Sequence, residues 1–326
     1  MISGHCCRTL SPGAESATVD GILNINKPRG ETSYHVVARV KRLSGVRRVG
    51  HAGTLDPEAT GVLPVCLGRA TRITGFLMDT TKTYRAEIEL GTATDTYDAT
   101  GKVTRRGDPS AVSREQVAAA LDRFRGLTQQ TPPMYSSVKH QGRRLYELAR
   151  AGIEVPRKSR PIVIHHLDIT HWQPPVVTIE VECGKGTYIR SLAHDLGEAL
   201  GCGAHLKSLI RLRCGPFDIS AAVSVTQLEE AFHHGYWQHF IHPADSVLLH
   251  WKAVVVNDAT ALNIRNGVPV SLVDEGNSLS AATELSTPVS PDTGTRCRTY
   301  TLDGRFLGVM RFNPEKGRWQ PEKVFQ

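Results

Sequence analysis

One carboxylate stands out for its surroundings. Asp56 lies in Arg48-Val-Gly-His51-Ala-Gly-Thr-Leu-Asp56-Pro57-Glu-Ala-Thr-Gly61-Val-Leu-Pro, a segment that also holds a histidine and follows a run of bases. Gly50, Gly53 and Gly61 permit tight bends and close approach of a bulky ligand. Pro57 biases Asp56 toward extended backbone. A loop built this way can hold an acid where a reacting centre develops charge. The plainer alternative is an aspartate that closes an Asx turn.

Other chemistries are poorly served. Gly184-Lys-Gly-Thr187 lacks the upstream glycine of a phosphate-binding loop, because Ile179, Glu180 and Val181 fill that region. No nucleophile elbow supports a Ser–His–Asp hydrolase. A glycosidase needs a second carboxylate facing the first. Asp95 and Asp98 are candidates, but their turn-like segment favours local backbone bonding. Cys202-x-x-His205, with Cys183 and Cys214, is a weak zinc candidate without a CxxC pair.

The elements that must position Asp56 are legible. Gly21–Asn26 reads as a strand and Lys27–Gly30 as a turn. Thr32 or Ser33 then caps a helix whose inner face is Val36, Val37, Val40 and Leu43, with Arg39, Lys41 and Arg42 outside. Tyr84, Ala86, Ile88 and Leu90 alternate with charges, as do Val177 to Cys183 with polar residues, predicting half-buried strands. Ser113-x-x-Gln116 is a capping box. A short helix is expected near Gly142–Ala151. A longer one follows Thr187, with Ile189, Leu192, Ala193 and Leu196 inward, which sets Tyr188 and Arg190 at its N-terminus. Beyond about residue 248 the chain turns to short strands with one helix from Asp258 to Asn266, and then a tail. Residues 274–295, rich in Ser, Thr, Gly and Pro, read as a mobile loop and 1–19 as a loose extension.

The chain has 326 residues and a formal charge of +7, unevenly placed. Residues 39–55 carry five Lys or Arg and no acid, and 139–160 carry seven against two acids. Residues 205–213 add His205, Lys207, Arg211 and Arg213. Separate basic clusters suggest a polyanion lying across the surface; solvated basic faces are the alternative. Seven cysteines without disulfide spacing favour a reducing cytoplasm, and no apolar run reaches membrane-span length.

Asn26-Lys27-Pro28-x-Gly30-x-Thr32-Ser33 resembles the opening motif of TruB-type tRNA pseudouridine synthases. Gly50-His51-x-Gly53-Thr54-Leu55-Asp56-Pro57-x-Ala59-Thr60-Gly61-Val62-Leu63-Pro64 is similar to their catalytic loop. Lys82-x-Tyr84-Arg85, Pro132-Pro133-x-Tyr135-Ser136, Gly186-Thr187-Tyr188-Ile189-Arg190 and Gly201–Leu206 continuing to Leu212 follow in the family's order.

The resemblance implies an α+β fold. A mixed, mainly antiparallel sheet with flanking helices would span residues 20–248, and a small β-rich PUA-like RNA-binding domain 249–326. It makes 131–160 an RNA-clamping insertion. It implies isomerisation of uridine 55 in the tRNA T loop to pseudouridine after base flipping, with Asp56, Tyr84 and Arg190 catalytic. Asp56 would attack or stabilise C1′, or remove a proton from C2′. Arg190 would keep Asp56 charged. Tyr84 would stack on the uracil and is a candidate acceptor of its C5 proton. His51, Tyr188, Leu209 and Lys27 would bind the substrate or support the loop. The alternative for Lys27 is a solvated turn lysine. The T arm of tRNA is the expected partner of a cytoplasmic monomer, with no guide RNA, membrane, metal or organic cofactor. A non-catalytic tRNA-folding protein and a guide-RNA-dependent synthase are the competing readings.

Overall fold

The computed structural model describes residues 19–272 and 294–325. The expected extension 1–19 and loop 274–295 therefore lie almost wholly outside the described residues. The first half runs β1 (Gly21–Lys27), α1 (Ser33–Ser44), β2 (Val49–His51), β3 (Thr60–Leu67), α2 (Thr74–Asp79), β4 (Lys82–Leu90), β5 (Thr92–Thr94), β6 (Val103–Arg106), α3 (Arg114–Asp122) and β7 (Gly126–Gln130). Next come β8 (Lys139–His140), β9 (Arg143–Arg144), α4 (Leu145–Arg150), β10 (Arg160–Gln173), β11 (Val176–Cys183), α5 (Ile189–Ala199) and β12 (Ala204–Cys214). The chain continues through β13 (Phe217–Asp218), β14 (Val223–Ser224), α6 (Val225–His233), β15 (Ile241–His242), β16 (Lys252–Val256) and α7 (Asp258–Arg265). It closes with β17 (Arg296–Thr301), β18 (Phe306–Asn313) and β19 (Arg318–Val324).

An eleven-stranded sheet forms the frame, with the path β14-β1-β3-β12-β4-β11-β10-β7. Most of its pairs are antiparallel; β12 with β3 and β1 with β14 are parallel. The alternation of β4 and β11 puts Ala86, Ile88, Val177, Ile179 and Val181 in one core, where α5 adds Leu192 and Leu196. A second cluster joins α1, through Val36 and Val40, to Leu23, Ile25, Leu63 and Val65. Tyr84 and Leu209 touch both clusters. Each fully buried aliphatic side chain contributes roughly 1.5–3 kcal/mol by leaving water.

Local rules set the helix ends. Thr32 Oγ1 accepts the His35 N–H, and Gly45 ends α1 in the left-handed region (φ 66°). Ser113 and Gln116 cap α3 reciprocally.

The C-terminal strands form a separate four-stranded sheet, β16-β17-β18-β19. Just before it, Trp251 packs edge-on against Phe76 of α2 at 5.1 Å, beneath the Arg296 guanidinium.

Three expectations need correction. The helix expected at Gly142–Ala151 is shorter, because Lys139–His140 and Arg143–Arg144 pair as a hairpin that Gly142 (φ 86°) turns. The tail is an edge strand, β19; its charges and Pro321 hide the alternation, and an edge strand tolerates both. His205 and Arg211, counted as surface bases, are buried at 7% and 1% exposure.

Candidate active site

The Asp56 loop is tied down from beneath. Ser33 Oγ donates to the Leu55 carbonyl (3.0 Å) and accepts the Leu55 N–H (2.9 Å), fastening the loop to the start of α1. Lys27 is fully buried, and its Nζ donates to the carbonyls of Pro28 (2.8 Å), Glu31 (2.6 Å) and Pro57 (3.0 Å). The Gly30 N–H also donates to the Pro57 carbonyl (2.8 Å). Lys27 thus holds the residue after Asp56 rather than facing solvent. Burial lowers its pKa to about 8, so the ammonium is charged at neutral pH.

So braced, the loop presents the Asp56 carboxylate to α5. Arg190 Nε lies 2.9 Å from Asp56 Oδ2, and Nη2 lies 3.2 Å from Oδ1. The Arg190 side chain is only 6% exposed. Its remaining donors reach the carbonyls of Tyr135 (2.9 Å) and Thr96 (3.4 Å), and Nη1 stands 3.8 Å from Asp98 Oδ2. Withdrawal from water pushes the Asp56 pKa up, Arg190 pulls it down, Asp98 adds to the push and Lys27 opposes it. The two-point grip favours the ionised, oriented carboxylate.

Asp98 shows both aspects of the sequence expectation. Its Oδ1 accepts the hydroxyls of Thr96 (2.8 Å) and Thr100 (2.6 Å) and the Thr100 N–H (3.0 Å), the expected local bonding. The same turn leaves Oδ2 facing Arg190. Asp95 stays local, accepting the Lys102 N–H at 2.8 Å.

Tyr188 caps α5 by position and is held by its backbone. The buried Gln130 side chain donates to the Tyr188 carbonyl (3.0 Å) and accepts its N–H (2.8 Å). Ser191 Oγ donates to the Thr131 carbonyl at 2.8 Å, so the turn bearing Arg190 is stitched to the root of the 131–160 segment. No pattern in the sequence marks Gln130 for this work.

Tyr84 and Leu209 stand on adjacent strands and share an apolar cluster with Leu55, the neighbour of Asp56. The Tyr84 ring is half-buried. Arg211 stands opposite it on β12; burial pushes the phenol up to about 12, and Arg211 opposes that. Arg211 was missed because spacing alone made it one base among several on a polar strand. His51 sits on β2 with Nδ1 buried and unpartnered, and burial and Arg211 lower its pKa. The weak zinc candidates have partners of their own: His205 Nδ1 lies 2.9 Å from the Thr92 carbonyl, and Cys202 Sγ 3.4 Å from the Gly203 carbonyl.

The site therefore holds a fixed carboxylate, a guanidinium clamping it, and an aromatic ring beside an aliphatic wall. Such an arrangement can meet positive charge at a sugar carbon and stack a planar base.

Residues 41–189 match the TruB family pseudouridylate synthase N-terminal domain, and 190–249 match the tRNA pseudouridylate synthase B C-terminal domain. A protein named tRNA pseudouridine synthase B from Dehalococcoides mccartyi is 42% identical over 308 residues, covering 94% of this chain and 97% of that one. One of the same name from Pseudomonas aeruginosa is 38% identical, covering 95% and 97%. Among solved structures, a Cbf5-Nop10-Gar1 complex aligns at a TM-score of 0.70 and 26% identity, over 94% of this chain and 85% of that one. The domain matches, the relatives and the shared fold agree: this chain belongs to the TruB family of pseudouridylate synthases.

Proposed function

We propose that the protein converts uridine 55 in the T loop of tRNA to pseudouridine, acting as a monomer in the cytoplasm without a guide RNA. The observation that carries this reading is the two-point Asp56–Arg190 contact on the family's loop. The relatives' name supports tRNA as substrate. A stacked uridine cannot reach Asp56, so the base must flip out of its helix.

In this reading Asp56 meets the positive charge that develops at C1′ as the glycosidic bond breaks, by attack on that carbon or by removing the C2′ proton. Arg190 keeps Asp56 ionised and aimed. Tyr84 stacks on the uracil and is a candidate acceptor of the C5 proton, and Leu209 lines the pocket. Tyr188 contacts the flipped nucleotide, His51 supports the opened T loop, and Lys27 braces the catalytic loop. The detached uracil is a delocalised anion that stays bound and rebonds through C5. No water is activated, so one catalytic acid suffices where a glycosidase needs two.

The exposed bases Lys139, Arg143, Arg144 and Arg150 on the β8–β9 hairpin and α4 suit an RNA backbone clamp, whose phosphate contacts give affinity rather than sequence choice. The C-terminal sheet is read as a PUA-like RNA-binding domain covering 249–326.

The test is direct. Unmodified tRNA incubated with the protein alone should gain pseudouridine at position 55, mapped nucleotide by nucleotide. Modification that appears only with added guide RNA, or tRNA binding without modification, would favour a competing reading.

A further inference from the structure

Arg211 is a buried cation with no ion-pair partner among the described residues. It stands on β12 between two neighbours, opposite Tyr84 on β4 and Gly61 on β3. The fit is close: a Cβ on Gly61 would lie 2.2 Å from the Arg211 carbonyl oxygen. The residue is 1% exposed. Nε donates to the Val62 carbonyl (2.6 Å) and Nη2 to the Gly53 carbonyl (3.0 Å). Among the described residues, no carboxylate forms an ion pair with it. Two carbonyls satisfy only part of a guanidinium's five donors.

Arg190 faces Asp56 and Asp98, and the carboxylates of Glu31, Asp56 and Glu58 act on Lys27. Arg211 makes no such ion pair among the described residues. The reaction read above creates a matching partner. When the C1′–N1 bond breaks heterolytically, its electron pair leaves with N1, and the uracil is an anion until C5 bonds to C1′.

We propose that Arg211 is a positioning residue that works through Tyr84: it anchors the phenol oxygen, and with it the ring that stacks on the base, and sets an unneutralised positive charge behind that ring for the uracil anion. The register fits this role: Arg211 stands directly opposite Tyr84 in the β4–β12 ladder, and the Tyr84 side chain remains half-buried. A charge held in a dry site by fixed hydrogen bonds needs no reorganisation when the anion forms. The proposal rests on the isomerase reading.

The experiment compares Arg211→Gln, which keeps a donor but removes the charge, with Arg211→Lys, which keeps the charge but loses the fork. Single-turnover glycosidic cleavage is followed on tRNA carrying uridine and on tRNA carrying 5-fluorouridine at the target. Fluorine makes N1 more acidic, so the leaving anion needs less help. Arg211→Gln should slow the uridine substrate roughly a hundredfold and the fluorinated one at least tenfold less. Arg211→Lys should stay well above Arg211→Gln on uridine. Tyr84→Phe, which removes the anchored oxygen and keeps the charge, should slow both RNAs alike and serves where Arg211→Gln fails to fold; a loss in Tyr84→Phe confined to uridine would overturn the proposal. Equal losses of Arg211→Gln on the two RNAs, or Gln performing as well as Lys, would overturn it too, while leaving the isomerase reading intact. Wild-type protein inactive on both RNAs would sink that reading instead.

Discussion

Arg190 holds both oxygens of Asp56, Nε to Oδ2 at 2.9 Å and Nη2 to Oδ1 at 3.2 Å, and keeps a third side-chain oxygen, Asp98 Oδ2, within 3.8 Å. Asp56 is thus aimed by a group that is itself fixed by two backbone carbonyls. Asp56→Asn keeps the shape of the loop and loses the charge. Release of the uracil C5 hydrogen should fall by roughly a thousandfold or more, with tRNA affinity changed only a few-fold. Turnover that survives in this variant would remove Asp56 from the chemistry.

The neighbours of Asp56 set the acid limb of the pH–rate profile, and their signs differ. Arg190 pulls the carboxyl pKa down, so Arg190→Met leaves burial and Asp98 unopposed except by Lys27. The pH at which activity rises should then move upward. Asp98 pushes the pKa up, so Asp98→Asn should move the same limb downward. Single-turnover rates between about pH 4 and 8 read both shifts. Identical profiles in the two variants would break the electrostatic account.

Lys27 binds three carbonyls in full burial. Lys27→Met strands those acceptors and should destabilise the protein by about 2–4 kcal/mol, seen in denaturant melts, while loosening the catalytic loop. The linkage has a definite sign. The folded pKa of Lys27, about 8, lies below its ordinary 10.5, so between those values the unfolded chain binds more protons. Lys27 therefore adds stability as pH rises through that window, a slope that Lys27→Met should lose.

The basic insertion carries its charges outward. Replacing Lys139, Arg143, Arg144 and Arg150 together with Ser should lower the slope of log binding constant against log salt by about 3, if each contacts one phosphate. The Asp56-dependent rate on saturating tRNA should change little. An unaltered slope would mean that the RNA backbone lies elsewhere.

Much of this architecture was legible from the chain. Alternation in β4 and β11 and the apolar face of α5 follow from periodicities that burial enforces. The Asp56 loop was legible because glycines and proline narrow the backbone's choices. What escaped was long-range. Arg211 looks like any base on a polar strand until β3 and β4 close around it. Gln130 acquires meaning only beside Tyr188, 58 residues away. Asp98 reads as a turn residue because one of its oxygens is just that. Side chains whose work is to meet distant backbone leave no local period.

The Arg190–Tyr135 bond has a practical corollary. Tyr135 lies at the base of the basic hairpin, and its carbonyl is one of the acceptors that fix the guanidinium. A truncation that takes the whole 131–160 segment would strip an acceptor from Arg190, whereas the hairpin itself begins only at Lys139. Engineers seeking a minimal enzyme should cut beyond Tyr146, whose N–H still reaches back to the Ser136 carbonyl, and leave that stem whole.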